Sequence, residues 1–263
     1  MVPYATIRIR TKSGFWFDSG ERRKYRIHQD FHPFWRGDVP AAPLEVLRKV
    51  PLFAGLPETE LVAFAELVRE RSYPKGSVIL FEDDPGDALY LVATGQVKVV
   101  LIGEDGREVI LSVLGEGSFF GEMALIDDQP RSAHVIAMTD ATVLMLRRED
   151  FQARLRRSPE IAIGLLRELS RRLRRADEKI GSLVLLDVNG RVADVLLRLA
   201  DEEPEGRITK KITHHVIAQM IGSSRETVSR TMRDFVERGL ITVTRREITL
   251  SDRAGLEQAA GRA

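Results

Sequence analysis

Residues 119–135 read FFGEMALIDDQPRSAHV, and this stretch carries a compact anion site within a single loop. After an apolar run, Gly121 lets the backbone turn tightly, and Met123 to Ile126 supply a short helical turn whose free N–H groups favour an anion. Nine residues after Glu122 comes Arg131, followed by Ser132. Asp127-Asp128-Gln129-Pro130 reads as a turn in which Pro130 holds Gln129 extended, folds Arg131 back over Gly121 and opens the next strand. Arginine offers a planar fork to two phosphate oxygens, and Ser132 adds a hydroxyl donor. Glu122 accepts from a sugar hydroxyl and neutralises the arginine when the site is empty. A phosphate joined to a ribose satisfies all three groups, whereas the bland alternative is a surface ion pair between Glu122 and Arg131, of little energetic worth.

The remaining composition bounds the answer. A chain of 263 residues, 43% hydrophobic and 30% charged, is a soluble globular mix with room for two domains. Its net charge of +1 is a cancellation of 40 basic against 39 acidic residues, so the clustering of the basic ones carries the information. The absence of cysteine removes disulfides, cysteine-ligated zinc or iron–sulfur sites and thiol redox sensing, and is compatible with a reducing cytoplasm. No run approaches roughly eighteen apolar residues and no apolar signal region opens the chain. The expected location is cytoplasmic, with no membrane partner.

Residues 1–43 hold eight of the seventeen aromatics, including Trp16 and Trp35, and eight Lys/Arg against four Asp/Glu, without a helical or strand period. They are expected to form a poorly ordered extension. From Leu44 to Arg71 the apolar spacing is helical, broken by Pro51-Leu-Phe-Ala-Gly-Leu-Pro57, which predicts two short helices. Between Tyr73 and Leu146, glycines recur at Gly76, Gly86, Gly95, Gly106 and Gly115 and separate short alternating runs, the pattern of a small antiparallel barrel or jelly roll. The fold class is therefore α+β. The expected domains are an N-terminal β-roll over 44–158, a long central helix with a hinge over 159–187, and a winged helix-turn-helix over 188–263.

The long helix, from Pro159 to Leu186, carries Leu166, Leu169, Leu173, Ala176, Ile180 and Leu183 at alternating spacings of three and four. That seam predicts a parallel homodimer. Asp187 should cap the helix that follows, which makes Leu186-Asp187 a hinge. From Arg207 to Arg246 there are nine Lys/Arg and three Asp/Glu, which implies an acidic partner. Thr213 to Ile221 reads as a short helix, Gly222-Ser-Ser as a turn, and Arg225 to Arg238 as a second helix, the spacing of a helix-turn-helix. Its internal set is Val216, Ile217, Met220, Val228, Met232, Phe235 and Val236, which leaves Arg225, Glu226, Ser229, Arg230 and Arg233 outward. Leu240 to Leu250 supplies a two-stranded wing.

Two stretches carry a family resemblance. Residues 121–133 fit the pattern G-E-x-A-L-x-x-x-x-P-R-x-A, which resembles the phosphate-binding cassette of cyclic-nucleotide-binding domains. SSRETVSRTM (223–232) is similar to the recognition helix of the catabolite activator protein, or cyclic-AMP receptor protein, family, and DEKIGSLVLLDVNGRVADVLLRLA (177–200) is especially close. The resemblance runs from about residue 51 to 251. It implies Glu122 on a ribose hydroxyl and Arg131 with Ser132 on a cyclic phosphate, within a ligand set of Leu111, Gly121, Glu122, Met123, Arg131, Ser132, Ala176 and Asp177.

Two consecutive hydroxyl residues hold adenine in that family; here Ala176 and Asp177 stand in those places, and aspartate only accepts hydrogen bonds. Cyclic AMP is the first expectation and cyclic GMP the alternative; no metal is expected. For DNA the resemblance implies Arg225, Glu226 and Arg230 on TGTGA half-sites of an inverted repeat. Ser224 and Ser229 join that set, with Lys210 and Lys211 as phosphate contacts and RNA polymerase as a further partner. The implied protein is a homodimeric, non-enzymatic transcription regulator. Two other readings stay open: a haem or other-ligand sensor on the same scaffold, for which His134 is the one histidine in the roll, and a constitutive or architectural DNA-binding protein with a vestigial pocket.

Overall fold

The computed structural model describes the backbone of residues 9–10 and 16–17, and residues 41–203, 206–209, 212–244 and 247–262. Most of the segment 1–43, and with it the expectation of disorder there, lies outside the described residues. Within it β1 (Ile9–Arg10) and β2 (Trp16–Phe17) pair antiparallel, a pairing that no alternation in the sequence announces. The chain divides into two compact units, residues 1–99 with 113–161, and residues 100–112 with 162–263.

In the first unit α1 (Ala41–Lys49) begins three residues earlier than the apolar spacing suggests, and a 3-10 turn (Pro51–Phe53) leads to α2 (Glu58–Ala65). Phe53 and Phe64 meet with centroids 4.9 Å apart, and Arg154 lays its guanidinium over Phe64 at 5.3 Å. The roll then runs through β3 (Arg69–Tyr73), β4 (Val78–Leu80), β5 (Ala88–Thr94), β6 (Val97–Ile102), β7 (Glu108–Leu114), β8 (Phe119–Phe120), α3 (Met123–Ile126), β9 (His134–Ala137) and β10 (Ala141–Arg147). One sheet has the order β3-β10-β5-β8 and the other β4-β9-β6-β7. Strand β5, ALYLVAT, is buried along all but its last residue because it lies between β10 and β8 and is covered on both faces. The tip of the β6–β7 hairpin, residues 100–112, belongs to the second unit. Helix α4 (Arg148–Arg157) closes the roll with Phe151 fully buried.

Helix α5 (Pro159–Leu185) runs 27 residues before the chain breaks at Leu186-Asp187. Asp187 caps α6 (Val188–Asp201) by accepting from the Gly190 amide at 2.8 Å, as its position predicts. The rest of the second unit is β11 (Arg207–Ile208), α7 (His214–Ile221), α8 (Arg225–Glu237), β12 (Ile241–Val243), β13 (Ile248–Leu250) and α9 (Arg253–Ala259). The wing is three-stranded, in the order β11-β13-β12, because Arg207–Ile208 pairs with β13 across the intervening helices. Its core joins Val192, Leu196, Ile217, Val228, Phe235, Ile248 and Leu256. Val236, expected inside, is 45% exposed: it follows Phe235 by one residue, about 100° further around the helix.

Candidate functional site

The phosphate-type cassette is assembled wholly within the first unit. Gly121 has φ +83, and a Cβ there would sit 2.6 Å from Arg131 Nη1, so only glycine allows the arginine to lie across this turn. Arg131 is buried and donates to the Gly121 carbonyl at 2.6 Å, the Ala88 carbonyl at 2.9 Å and Asp87 Oδ1 at 3.1 Å. Its Nε–H has no hydrogen-bond partner among the described residues. Tyr90, stacked on Phe120 at 5.2 Å, faces the same guanidinium at 5.9 Å, and burial raises its phenol pKa further above the ordinary value. Glu122 is buried at the N-terminus of α3 in helical backbone geometry.

Met123 and Ser132 are exposed, and the Ser132 hydroxyl has only a weak contact with Met123 Sδ at 3.8 Å. The C-terminal end of α3 is held by cations and amides, with Arg148 Nη2 on the Ala124 carbonyl at 2.6 Å and Gln152 Nε2 on the Leu125 carbonyl at 3.0 Å. The set suits a phosphate: a buried guanidinium with an uncommitted N–H, a glycine cradle and a hydroxyl that can turn. The strand begins at His134, three residues after Arg131 rather than at it, which leaves Arg131 in the loop. His134 Nδ1 accepts from the Glu82 amide at 3.2 Å and its ring meets Phe81 edge-on at 6.0 Å, a structural role in the roll.

Leu111, Ala176 and Asp177, the other residues expected at a ligand, belong to the second unit and are exposed. There the hairpin tip is fastened to helices of the same unit. Lys179 donates to the Ile110 carbonyl, and Gln219 Nε2 donates to Glu108 Oε2 at 2.7 Å. Burial, with the Arg198 charge as second cause, pushes the Lys179 ammonium down to about 8 from its ordinary 10.5. Between those values the unfolded chain holds the extra proton, so this group adds stability as pH rises from about 8 toward 10.5 and costs stability below 8. Thermal melts of Lys179→Met and the parent chain should therefore diverge between pH 8 and 10, the parent gaining relative to the variant. A constant difference over that range would show that Lys179 is not held as a desolvated cation.

The helix-turn-helix lies in the second unit too. Thr213 caps α7 by accepting from the Val216 amide at 3.2 Å, and Ser224 caps α8 by accepting from the Thr227 amide at 3.1 Å. Gly222 closes α7 in the left-handed conformation, φ 63, where a side chain would be strained by about 1–2 kcal/mol. Arg225, Glu226 and Arg230 are exposed on α8, and neither arginine is held in an ion pair among the described residues. Glu226 is held below the ordinary carboxylate range, chiefly by its own backbone N–H and then by the Ser224 hydroxyl. Ser229 is half-buried and bonded to His214 Nδ1 at 2.9 Å. Lys210 and Lys211 lie outside the described residues.

Residues 70–158 match the cyclic nucleotide-binding domain, and residues 190–259 match the Crp-like helix-turn-helix domain. The CRP-like cAMP-activated global transcriptional regulator of Mycobacterium tuberculosis is 34% identical over 221 residues, 82% of this chain and 99% of its own length. The chain belongs to the CRP family of transcription regulators. The cyclic AMP receptor protein of Thermus thermophilus is 39% identical over 210 residues, 80% of this chain and 96% of that protein. Among solved structures, the c-di-GMP responsive global regulator CLP of Xanthomonas campestris aligns with a TM-score of 0.65 and 26% identity, covering 74% of this chain and 99% of that one. A CRP-family chain of this make-up is a DNA-binding transcription regulator and not an enzyme.

Several residues around the CRP-type cassette and helix escaped the sequence reading. Asp87, Ala88 and Tyr90 meet Arg131 from 41–44 residues away, and their only local signal is the turn Pro85-Gly86 ahead of a strand. Nothing local marks His214, and Lys179 stands within 177–200 with no signal of its own burial. Among the described residues no helix is long and apolar enough to cross a membrane.

Proposed function

We propose that this CRP-family chain is a homodimeric regulator controlled by a cyclic nucleotide, cyclic AMP first and cyclic GMP second, which reads a TGTGA-type inverted repeat. The observation that carries the nucleotide reading is the buried Arg131 fork over Gly121, with Nε–H uncommitted and the Ser132 hydroxyl in weak contact. Residues Gly121, Glu122, Met123, Arg131 and Ser132 would hold the ribose phosphate. Leu111, Ala176 and Asp177 would face the base. Binding shifts the conformational equilibrium only through contacts that differ between the two states of the dimer. The break at Leu186-Asp187 is the place where α6 can reorient against α5, so that the two α8 helices meet successive major grooves. Recruitment of RNA polymerase and a cytoplasmic location complete the proposal.

Isothermal titration with cyclic AMP and cyclic GMP tests the ligand. Asp177 makes no hydrogen bond or ion pair among the described residues, and its carboxylate can only accept. Asp177→Ser is expected to raise cyclic AMP affinity or its effect on DNA binding, by restoring a group that both donates and accepts. If Asp177→Ser weakens every purine nucleotide, the carboxylate is itself the base contact.

For DNA, arginine suits guanine O6 and N7 and glutamate suits the cytosine amino group. Arg225→Ala should cost about 1–3 kcal/mol on a TGTGA…TCACA duplex and relax preference at one guanine. Lys210→Ala or Lys211→Ala should instead weaken all sequences alike and reduce the salt slope. Selection from random duplex DNA decides: a direct repeat, or half-sites without a TGTGA core, would sink the assignment of this helix to that sequence.

A further inference from the structure

Ser229 stands three residues after Glu226 and four after Arg225, so on α8 it lies between them on the outward face. A serine within a helix commonly turns its hydroxyl back onto the carbonyl four residues earlier. Here it bonds instead across to the first residue of α7, with His214 Nδ1 2.9 Å from Ser229 Oγ. Both residues are half-buried, and each end of the bond sits on a capped helix terminus or the turn just beyond it, which limits the freedom of both groups. Neither side chain has another partner among the described residues.

A free serine hydroxyl reads nothing in a groove, because its hydrogen rotates to suit a donor or an acceptor on any base. A hydroxyl whose hydrogen is committed to a neighbour shows only oxygen lone pairs to DNA. Where the ring hydrogen sits on Nε2, His214 Nδ1 accepts and the Ser229 hydroxyl donates to it. We infer that His214 is a positioning residue that turns Ser229 into a fixed acceptor, selecting a base with an exposed amino group, cytosine or adenine, at one position of the half-site. The inference rests on the proposed reading by α8 and adds to it one position and the residue that sets its polarity.

Binding-site selection and competition on the selected duplex test this with full-length Ser229→Ala, His214→Phe and His214→Asn chains, at two salt concentrations. Phenylalanine keeps the ring's bulk without the acceptor, and asparagine replaces Nδ1 with an amide that can accept. The expected result is loss of about 3- to 10-fold discrimination at a single base pair in Ser229→Ala and His214→Phe. The double variant should be no worse than either alone, His214→Asn should retain the preference, and the salt slope should not move. A fall in affinity for all sequences with a smaller salt slope in His214→Phe would make His214 a phosphate contact and overturn the inference. Unchanged discrimination in Ser229→Ala, whose smaller side chain is tolerated on a helix surface, overturns it even if His214→Phe fails to fold. Arg225→Ala in the same assay separates the layers: if its guanine preference relaxes while Ser229→Ala changes nothing, only this inference fails. If Arg225→Ala also changes nothing, the reading by α8 falls with it.

Discussion

Arg131→Leu is expected to abolish cyclic nucleotide binding in isothermal titration, a loss of roughly 2–5 kcal/mol for a charge-assisted contact whose anion is left without its partner. From sequence alone the arginine looks like a pure ligand contact that could be deleted at no cost to the fold. The structure corrects that expectation, because Arg131 is buried and satisfies the Gly121 and Ala88 carbonyls as well as Asp87. Leucine leaves those carbonyls without their donor, a further cost of about 1–3 kcal/mol in stability for a buried polar group. The variant should therefore melt earlier as well as fail to bind. Arg131→Lys separates the two effects: it keeps a buried cation and some donors but not the planar fork, so it should recover more stability than affinity. Nucleotide binding within a few-fold of the parent chain in Arg131→Leu would mean that the cassette does not hold the phosphate.

Leu173→Glu should convert the protein to a monomer in sedimentation and remove high-affinity binding to the inverted repeat while leaving weak binding to a single half-site. Leu166, Leu173 and Ile180 are 64%, 63% and 59% exposed on α5, which no isolated soluble helix would favour at three successive heptad positions of one stripe. Val184, four residues after Ile180, extends the stripe toward the helix end at 76% exposed. Covering one leucine is worth about 1.5–3 kcal/mol, and a two-fold axis counts it twice. Glutamate forfeits that burial and brings two carboxylates together across the axis, whereas Leu173→Met should keep the dimer. A Leu173→Glu chain that still sediments as a dimer would place the interface elsewhere.

Much of this protein was legible because the signals are local. The caps at Asp187, Thr213 and Ser224 each bond an amide three residues on, so residue type and spacing are enough to find them. Gly222 ends α7 because the turn needs a left-handed residue, and the 3-4 spacing on α5 is the local signal from which the dimer is proposed. The order of elements, from roll to long helix to helix-turn-helix, follows from periods of two and 3.6 and from glycines at the breaks. A third strand in the wing, by contrast, depends on Arg207–Ile208 reaching β13 from some forty residues away, and two residues carry no period.

The sequence by itself determined which residue types stand at the cassette and on the outward face of α8, since both are set within a dozen residues of chain. Only the tertiary structure decided what those residues touch. It gave Arg131 its carbonyl acceptors and Asp87, turned Ser229 toward His214, desolvated Lys179 beneath the Ile110 carbonyl and left Val236 outside. Each of these depends on groups brought together from different elements. Burial and hydrogen-bond partners belong to the packed arrangement, which a linear spacing does not encode.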